Sequence, residues 1–222
     1  MAVFTLQIPE DFNPVLDAIN TKYVNVGMSY GWKADGRKKY DQGHWNRRIV
    51  GNSMRFPFDM SITPYFDKHP EVKNIWEKIG SMTGKKGLVR AYINGYTYGT
   101  DGYAHTDDEF VIKKYGDSAL SQTILIYLNK TWDIDWAGET VVFQDNEIIH
   151  SVLPKFGRVF MFDSNMLHAA RPVSRVCSDL RAVLVFKTFD TSAIPPHINF
   201  INEHTLNVKH SGRTFFEHLF GT

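Results

Sequence analysis

The sequence predicts a mainly β fold with flanking α-helices, a sandwich or jelly roll, and three observations carry that reading. Short apolar runs recur at close spacing between residues 88 and 189. Turn-forming dipeptides separate them, and the one strongly periodic helical stretch precedes them instead of alternating with them. Helices first and regularly spaced short strands afterwards fit a β sandwich or jelly roll with the helices packed outside.

The elements follow in chain order. Phe4 to Ile8 alternates and stops at Pro9, a short strand. Asn13-Pro14 sets a capping side chain before proline at the first helical position, and Val15, Leu16 and Ile19 give that short helix an apolar face. Residues 27–48 turn polar, glycine-containing and basic, with Lys33, Arg37, Lys38, Lys39, Arg47 and Arg48. They read as a solvated loop, with a lid or a contact to an anionic substrate as the functional alternative. From Pro70 to Met82, the residues Val72, Ile75, Trp76, Ile79 and Met82 recur at helical spacing, and Gly84 ends the helix. Strands are then expected from Leu88 to Ile93, Thr123 to Leu128, Glu139 to Phe143, Glu147 to Val152, Arg158 to Phe162 and Arg181 to Phe189. Asn94-Gly95, Asp101-Gly102, Ala137-Gly138, Asp145-Asn146, Phe156-Gly157 and Asp163-Ser164-Asn165 supply the turns between them.

Beyond Asp190 the alternation ends. Pro195-Pro196 breaks the chain, and Phe215, Phe216, Leu219 and Phe220 open an amphipathic helix too short to stand without a partner. His210 to Leu219 has a faint similarity to the opening of HD-like helical domains. The expected organisation is a helix-and-strand support region at 1–84 carrying the basic loop at 27–48, a jelly-roll core at 85–190, and a C-terminal extension at 191–222, the start of a further helical domain.

Composition narrows the class. A chain of 222 residues, 43% hydrophobic and 22% charged, is long enough for a sizeable core. A formal net charge of +1 gives no global field for nucleic acid or a membrane surface. Cys177 is the sole cysteine, which excludes an intrachain disulfide framework and a cysteine-based zinc site and fits a reducing compartment. No apolar run approaches transmembrane length, and Met1 to Leu6 lacks the features of a signal peptide; a cytoplasmic location is the expectation.

The chemistry concentrates in His105-Thr106-Asp107, His168 and Arg181. In an extended segment, residues two apart share a face, so His105 and Asp107 can reach one metal. Two imidazoles and a carboxylate form the facial triad that holds non-haem Fe(II) with open positions. A His-x-acid pair is common by chance, as His69-Pro70-Glu71 demonstrates; that decoy begins a helix, where an acid is explained by the macrodipole. Arg181 opens a strand whose alternation sets Arg181, Val183, Val185 and Lys187 on one face. A guanidinium among aliphatic neighbours needs a partner, and the distal carboxylate of a 2-oxo acid would satisfy it bidentately.

The segments Tyr92 to Asp107, TILIYLN at 123–129, WAGETVVF at 136–143, LPKFGRVFMFD at 153–163, His168 and RAVLVFK at 181–187, in that order and spacing, resemble the Fe(II)/2-oxoglutarate-dependent dioxygenase superfamily, and its prolyl 4-hydroxylase-like group most of all. The resemblance implies a double-stranded β-helix, the cupin-like barrel form of the jelly roll. It implies His105, Asp107 and His168 as iron ligands and Arg181 as the 2-oxoglutarate-binding residue, with Arg171, Arg175 and Lys187 as rivals. Tyr127, Tyr92 and Thr123 are implied as pocket residues able to hydrogen-bond the cosubstrate. Fe(II), 2-oxoglutarate and O2 would be required, with ascorbate in support. Asp107 favours hydroxylation over halogenation, since related halogenases lack this carboxylate. His44, Arg47 and Tyr103 are the candidate substrate contacts. The expected activity is hydroxylation of a small-molecule or peptide substrate. The alternatives are a non-catalytic cupin-like binding module and a nucleic-acid demethylase of the same superfamily, against which the near-neutral charge argues.

Overall fold

The computed structural model describes residues 3–34, 42–50, 66–84, 87–107 and 121–189. Arg37, Lys38 and Lys39 of the basic stretch and the whole of the 191–222 extension lie outside the described residues. The described strands are β1 (Val3–Gln7), β2 (Ser29–Trp32), β3 (His44–Val50), β4 (Gly87–Tyr96), β5 (Gly102–His105), β6 (Ser121–Tyr127), β7 (Thr140–Gln144), β8 (Glu147–Val152), β9 (Arg158–Asp163), β10 (Leu167–Ala170) and β11 (Arg181–Phe189). Among the described residues two α-helices, α1 (Asn13–Ile19) and α2 (Pro70–Thr83), accompany them.

The strands form two sheets, β1-β9-β6-β11-β4-β3-β2 and β5-β10-β7-β8, in the jelly-roll manner expected from the spacing of the runs. β11 lies near the middle of the larger sheet, paired antiparallel with β4 and β6, and its alternation builds two cores. Leu184 and Phe186 point outward and join Ile93, Ile124 and Ile126 against Leu16, Ile19, Ile75 and Ile79 of the helices. Val183 and Val185 point inward and join Leu125, Tyr127, Phe160 and Phe162 between the sheets. Every residue of β6 is buried, because helices cover one face of it and the smaller sheet the other.

The helical stretch at 70–83 ends as its sequence requires, with Gly84 left-handed at φ 72° and its amide donating to the Gly80 carbonyl. Asp145 and Asn146 carry φ values of 51° and 67° in the β7–β8 hairpin, the pair of positive angles that a tight primed turn needs. His69-Pro70-Glu71 is structural: Tyr23 Oη meets His69 Nδ1 at 2.8 Å and Lys22 Nζ meets Glu71 at 2.9 Å, which ties the end of the α1 segment to the start of α2.

Three local expectations are corrected. Asn13 does not cap α1; a 3-10 turn at Glu10–Phe12 runs directly into the helix, so Asn13 is already its first residue and makes no capping bond. Residues 27–48 are not simply a loop, since β2 and β3 form an antiparallel hairpin that adds to β4. This hairpin was hidden because the inward residues of β3 are polar, His44 and Asn46, and because Gly31 breaks the alternation of β2 with φ 112° at a bulge. β5 and β10, four residues each, occupy positions read as turn and loop. No described helix is long and apolar enough to cross a membrane.

Candidate metal centre and cosubstrate pocket

The two short strands missed in the sequence are the ones that assemble the cluster. β10 pairs with β5 so that His168 lies opposite His105, and the ring centroids are 4.4 Å apart. Asp107 follows β5 by two residues, held there by its amide donating to the Ser164 carbonyl at 2.8 Å. One ligand atom from each of the three residues lies within 4.8 Å of the others. His168 Nε2 is 3.1 Å from Asp107 Oδ2, and His105 Nε2 is 3.5 Å from Asp107 Oδ1.

Each imidazole is oriented through its far nitrogen. His105 Nδ1 lies 2.6 Å from the Tyr103 carbonyl and His168 Nδ1 lies 2.8 Å from the Met166 carbonyl. A carbonyl only accepts, so both Nδ1 atoms carry the proton and both Nε2 lone pairs face the cluster. Asp107 Oδ2 accepts from Thr123 Oγ1 at 2.7 Å and from the Lys187 ammonium. Thr123 also accepts from Lys187 Nζ at 2.9 Å. Burial first, and then Arg90 on the neighbouring strand, push the Lys187 pKa well below its ordinary value.

Arg181 sits at the other end of the inward face of β11, 1% exposed. Its Nε donates to the Gly138 carbonyl and its Nη2 to Thr140 Oγ1 at 2.7 Å, while Nη1 is buried with no partner among the described residues. Nε and Nη2 share one edge of the guanidinium, so the protein occupies that edge and leaves Nη1 without a hydrogen bond among the described residues. The group also lies over the rings of Tyr96 and Tyr127, at 5.3 and 5.4 Å from their centroids. Gly138, φ 78°, is required here: a Cβ would stand 3.1 Å from Arg181 Cδ and 3.0 Å from Val173 Cγ1.

One cavity connects the two ends, lined by the three clustered residues together with His44, Tyr92, Thr123, Arg181 and Lys187. Its donor set fits a divalent transition metal: two neutral imidazoles and one carboxylate, with cavity on the remaining side. The unused Nη1 of Arg181 fits a ligand carboxylate at the far end.

The other sequence candidates fall into place unevenly. Tyr92 lines the cavity, whereas Tyr127 does not; its hydroxyl donates to Thr140 Oγ1 at 2.8 Å and toward the Val152 carbonyl at 3.2 Å, behind Arg181. Thr123 lines the cavity but spends its hydroxyl on Asp107. His44 lines it, stacked on Tyr96 at 4.7 Å, with both ring nitrogens buried and without a hydrogen-bond partner among the described residues. Burial pushes the His44 pKa down to about 4, so the ring is neutral near pH 7. Arg47 is turned away, its Nη1 donating to the Gly27 carbonyl at 2.9 Å, and Tyr103 contributes its carbonyl to the cluster but not its side chain to the lining. Arg171 and Arg175 are exposed outside the cavity, Arg171 over the Phe143 ring. Lys187 reaches Asp107 and not Arg181's end. Sequence reasoning missed Arg90, Asn94 and Tyr96, which line the cavity from β4. Their signal was the alternation from Arg90 to Tyr96, which the reading of Asn94-Gly95 as a turn cut short; both residues lie inside β4, paired with Val183 and Ala182.

Residues 92–186 match the model of the 2OG-Fe(II) oxygenase superfamily. No curated protein matches the chain. Among solved structures, an oxidoreductase of the 2OG-Fe(II) oxygenase family from Burkholderia pseudomallei aligns at 17% identity and TM-score 0.57, over 83% of this chain and 84% of that one. A prolyl hydroxylase from Trichoplax adhaerens, in complex with a hypoxia inducible factor oxygen degradation domain peptide, aligns at 17% identity and TM-score 0.55, over 86% and 84%. A Pseudomonas putida prolyl-4-hydroxylase aligns at 14% and 0.55, over 85% and 92%. These likenesses establish a shared fold. The segment matched by the family model runs from Tyr92 to Phe186 and so contains both strands of the cluster and Arg181; over that segment the chain is similar to the 2OG-Fe(II) oxygenase superfamily.

Proposed function

We propose that the chain is an Fe(II)- and 2-oxoglutarate-dependent hydroxylase in which His105, Asp107 and His168 hold the metal and Arg181 holds the distal carboxylate of the cosubstrate. The observation that carries this reading is a fully buried guanidinium, its Nη1 without a partner among the described residues, lining the same cavity as three converging ligand atoms. When bound, the metal and cosubstrate supply oxygen activation coupled to decarboxylation of 2-oxoglutarate to succinate. The chain supplies orientation. The Tyr103 and Met166 carbonyls fix the imidazole tautomers, Thr123 and Lys187 fix the Asp107 carboxylate, and Gly138 and Thr140 aim the guanidinium. Val183, Val185 and Leu125 keep the middle of the cavity apolar, which strengthens each charge interaction around it.

The substrate is a small molecule or a peptide. A peptide is favoured by the fold shared with the Trichoplax enzyme, which was solved with one. The test is succinate release from 2-oxoglutarate under O2, with Fe(II) and with ascorbate as supporting reductant, screened against amino acids and peptides. Iron-dependent succinate that vanishes in His105→Ala is expected. Absence of turnover with every substrate class would favour a binding module built on the same barrel.

A further inference from the structure

Among the described residues the cavity's lining leans positive: Asp107 is the one carboxylate, against Lys33, Arg90, Arg181 and Lys187. Lys187 and Arg90 are direct cross-strand partners on β11 and β4, both on the inward face, an arrangement of like charges that costs stability unless an anion lies between or beside them. Arg90 reaches over the Tyr92 ring at 5.1 Å, and no carboxylate among the described residues pairs with it. Lys187 has Asp107, but that carboxylate is also a metal ligand on the reading above.

The cosubstrate cannot supply the missing charge. On the reading above Arg181 takes its distal carboxylate and the metal takes its other end, while Lys187 faces Asp107, which leaves Arg90 without an anion among the described residues. A molecule seated on the Arg181 end therefore leaves Arg90 unserved. Lys33, beside Trp32 at the rim, and Arg48, its guanidinium 5.6 Å from the Trp32 ring, extend the positive potential toward solvent and would draw an anion inward.

We propose that the substrate is anionic, and that its carboxylate or phosphate seats on Arg90 and Lys187 at the end of the cavity opposite Arg181. This rests on the assignment of the metal and cosubstrate sites above. A guanidinium beside an ammonium is suited to either oxyanion, the fork giving two parallel bonds and the ammonium a point charge.

The test uses the full chain loaded with Mn(II) and N-oxalylglycine, a redox-silent metal and a non-reacting cosubstrate analogue, titrated calorimetrically with acetate and with methyl phosphate. The wild type binds at least one of the two at a single site, and the stronger binder identifies the source of the oxyanion. Arg90→Met and Lys187→Met each weaken that binding about tenfold or more relative to their N-oxalylglycine affinity, and Arg90→Lys recovers part of it. If the wild type loads with Mn(II) and N-oxalylglycine but binds neither anion, or if Arg90→Met binds both unchanged, the subsite is wrong while the cosubstrate reading stands. If the wild type does not load at all, the assignment beneath the proposal fails and takes it along.

Discussion

Replacing Arg181 by methionine removes the charge and keeps most of the side-chain volume. In the wild type the guanidinium is 1% exposed and already oriented by Gly138 and Thr140, so a ligand carboxylate meets a donor that needs no reorganisation. Losing one member of a buried, hydrogen-bonded charge pair costs about 2–5 kcal/mol, so a loss near 3 kcal/mol and roughly 100-fold weaker 2-oxoglutarate binding is expected. The apo protein should lose little stability. Methionine takes away an ionised group whose Nη1 was buried without a partner, Thr140 keeps its bond from Tyr127, and only the Gly138 carbonyl is left bare. Arg181→Lys should fall between, because one ammonium cannot hold Gly138 and the ligand in the guanidinium's geometry. Calorimetric titration of N-oxalylglycine into Mn(II)-loaded protein gives the affinities, and urea denaturation the stabilities. Wild-type affinity in Arg181→Met would refute the assignment of the distal carboxylate to this residue.

Gly138→Ala should weaken 2-oxoglutarate binding by about tenfold or more, since a positive-φ alanine costs about 1–2 kcal/mol and its Cβ presses on Arg181 Cδ; unchanged affinity in titration would contradict that coupling. His44 carries a proton in the unfolded chain below its ordinary pKa of 6.5 but resists it in the fold down to about 4. Stability is therefore lost as pH falls through that window, by about 3 kcal/mol once both forms are protonated. His44→Phe, which keeps the stacking on Tyr96, should remove that part of the acid limb, and identical acid limbs in urea melts would sink the claim. Leu184→Ala, fully buried against the helices, should cost about 2–5 kcal/mol, read from the urea midpoint at unchanged m-value.

The parts of this molecule legible in its sequence are those where one periodicity acts alone. β11 separates its outward Leu184 and Phe186 from its inward Val183 and Val185, α2 repeats its apolar stripe to Gly84, and Asp145-Asn146 marks its own turn. The triad was legible because two ligands share a short extended segment and because Arg181 is out of place among aliphatic residues. β5 and β10 were not, since four-residue strands dominated by function carry no apolar alternation. The β2–β3 hairpin was obscured for a related reason: it buries polar residues, His44 against the cavity and Asn46 against Asn94, and its basic residues resembled a solvated loop. The role of Tyr127 depended on a partner distant in sequence, Thr140, that only the folded register brings within 2.8 Å.

The central claim is that one metal and one 2-oxoglutarate meet at His105, Asp107 and His168. Anaerobic titration of Fe(II) and then 2-oxoglutarate, followed by visible absorption, tests it without knowledge of the substrate. The account predicts a metal-to-ligand charge-transfer band that saturates at one Fe(II) per chain and is absent in His168→Ala and Asp107→Ala. A wild-type protein that yields no such band, or variants that yield it undiminished, would contradict the account.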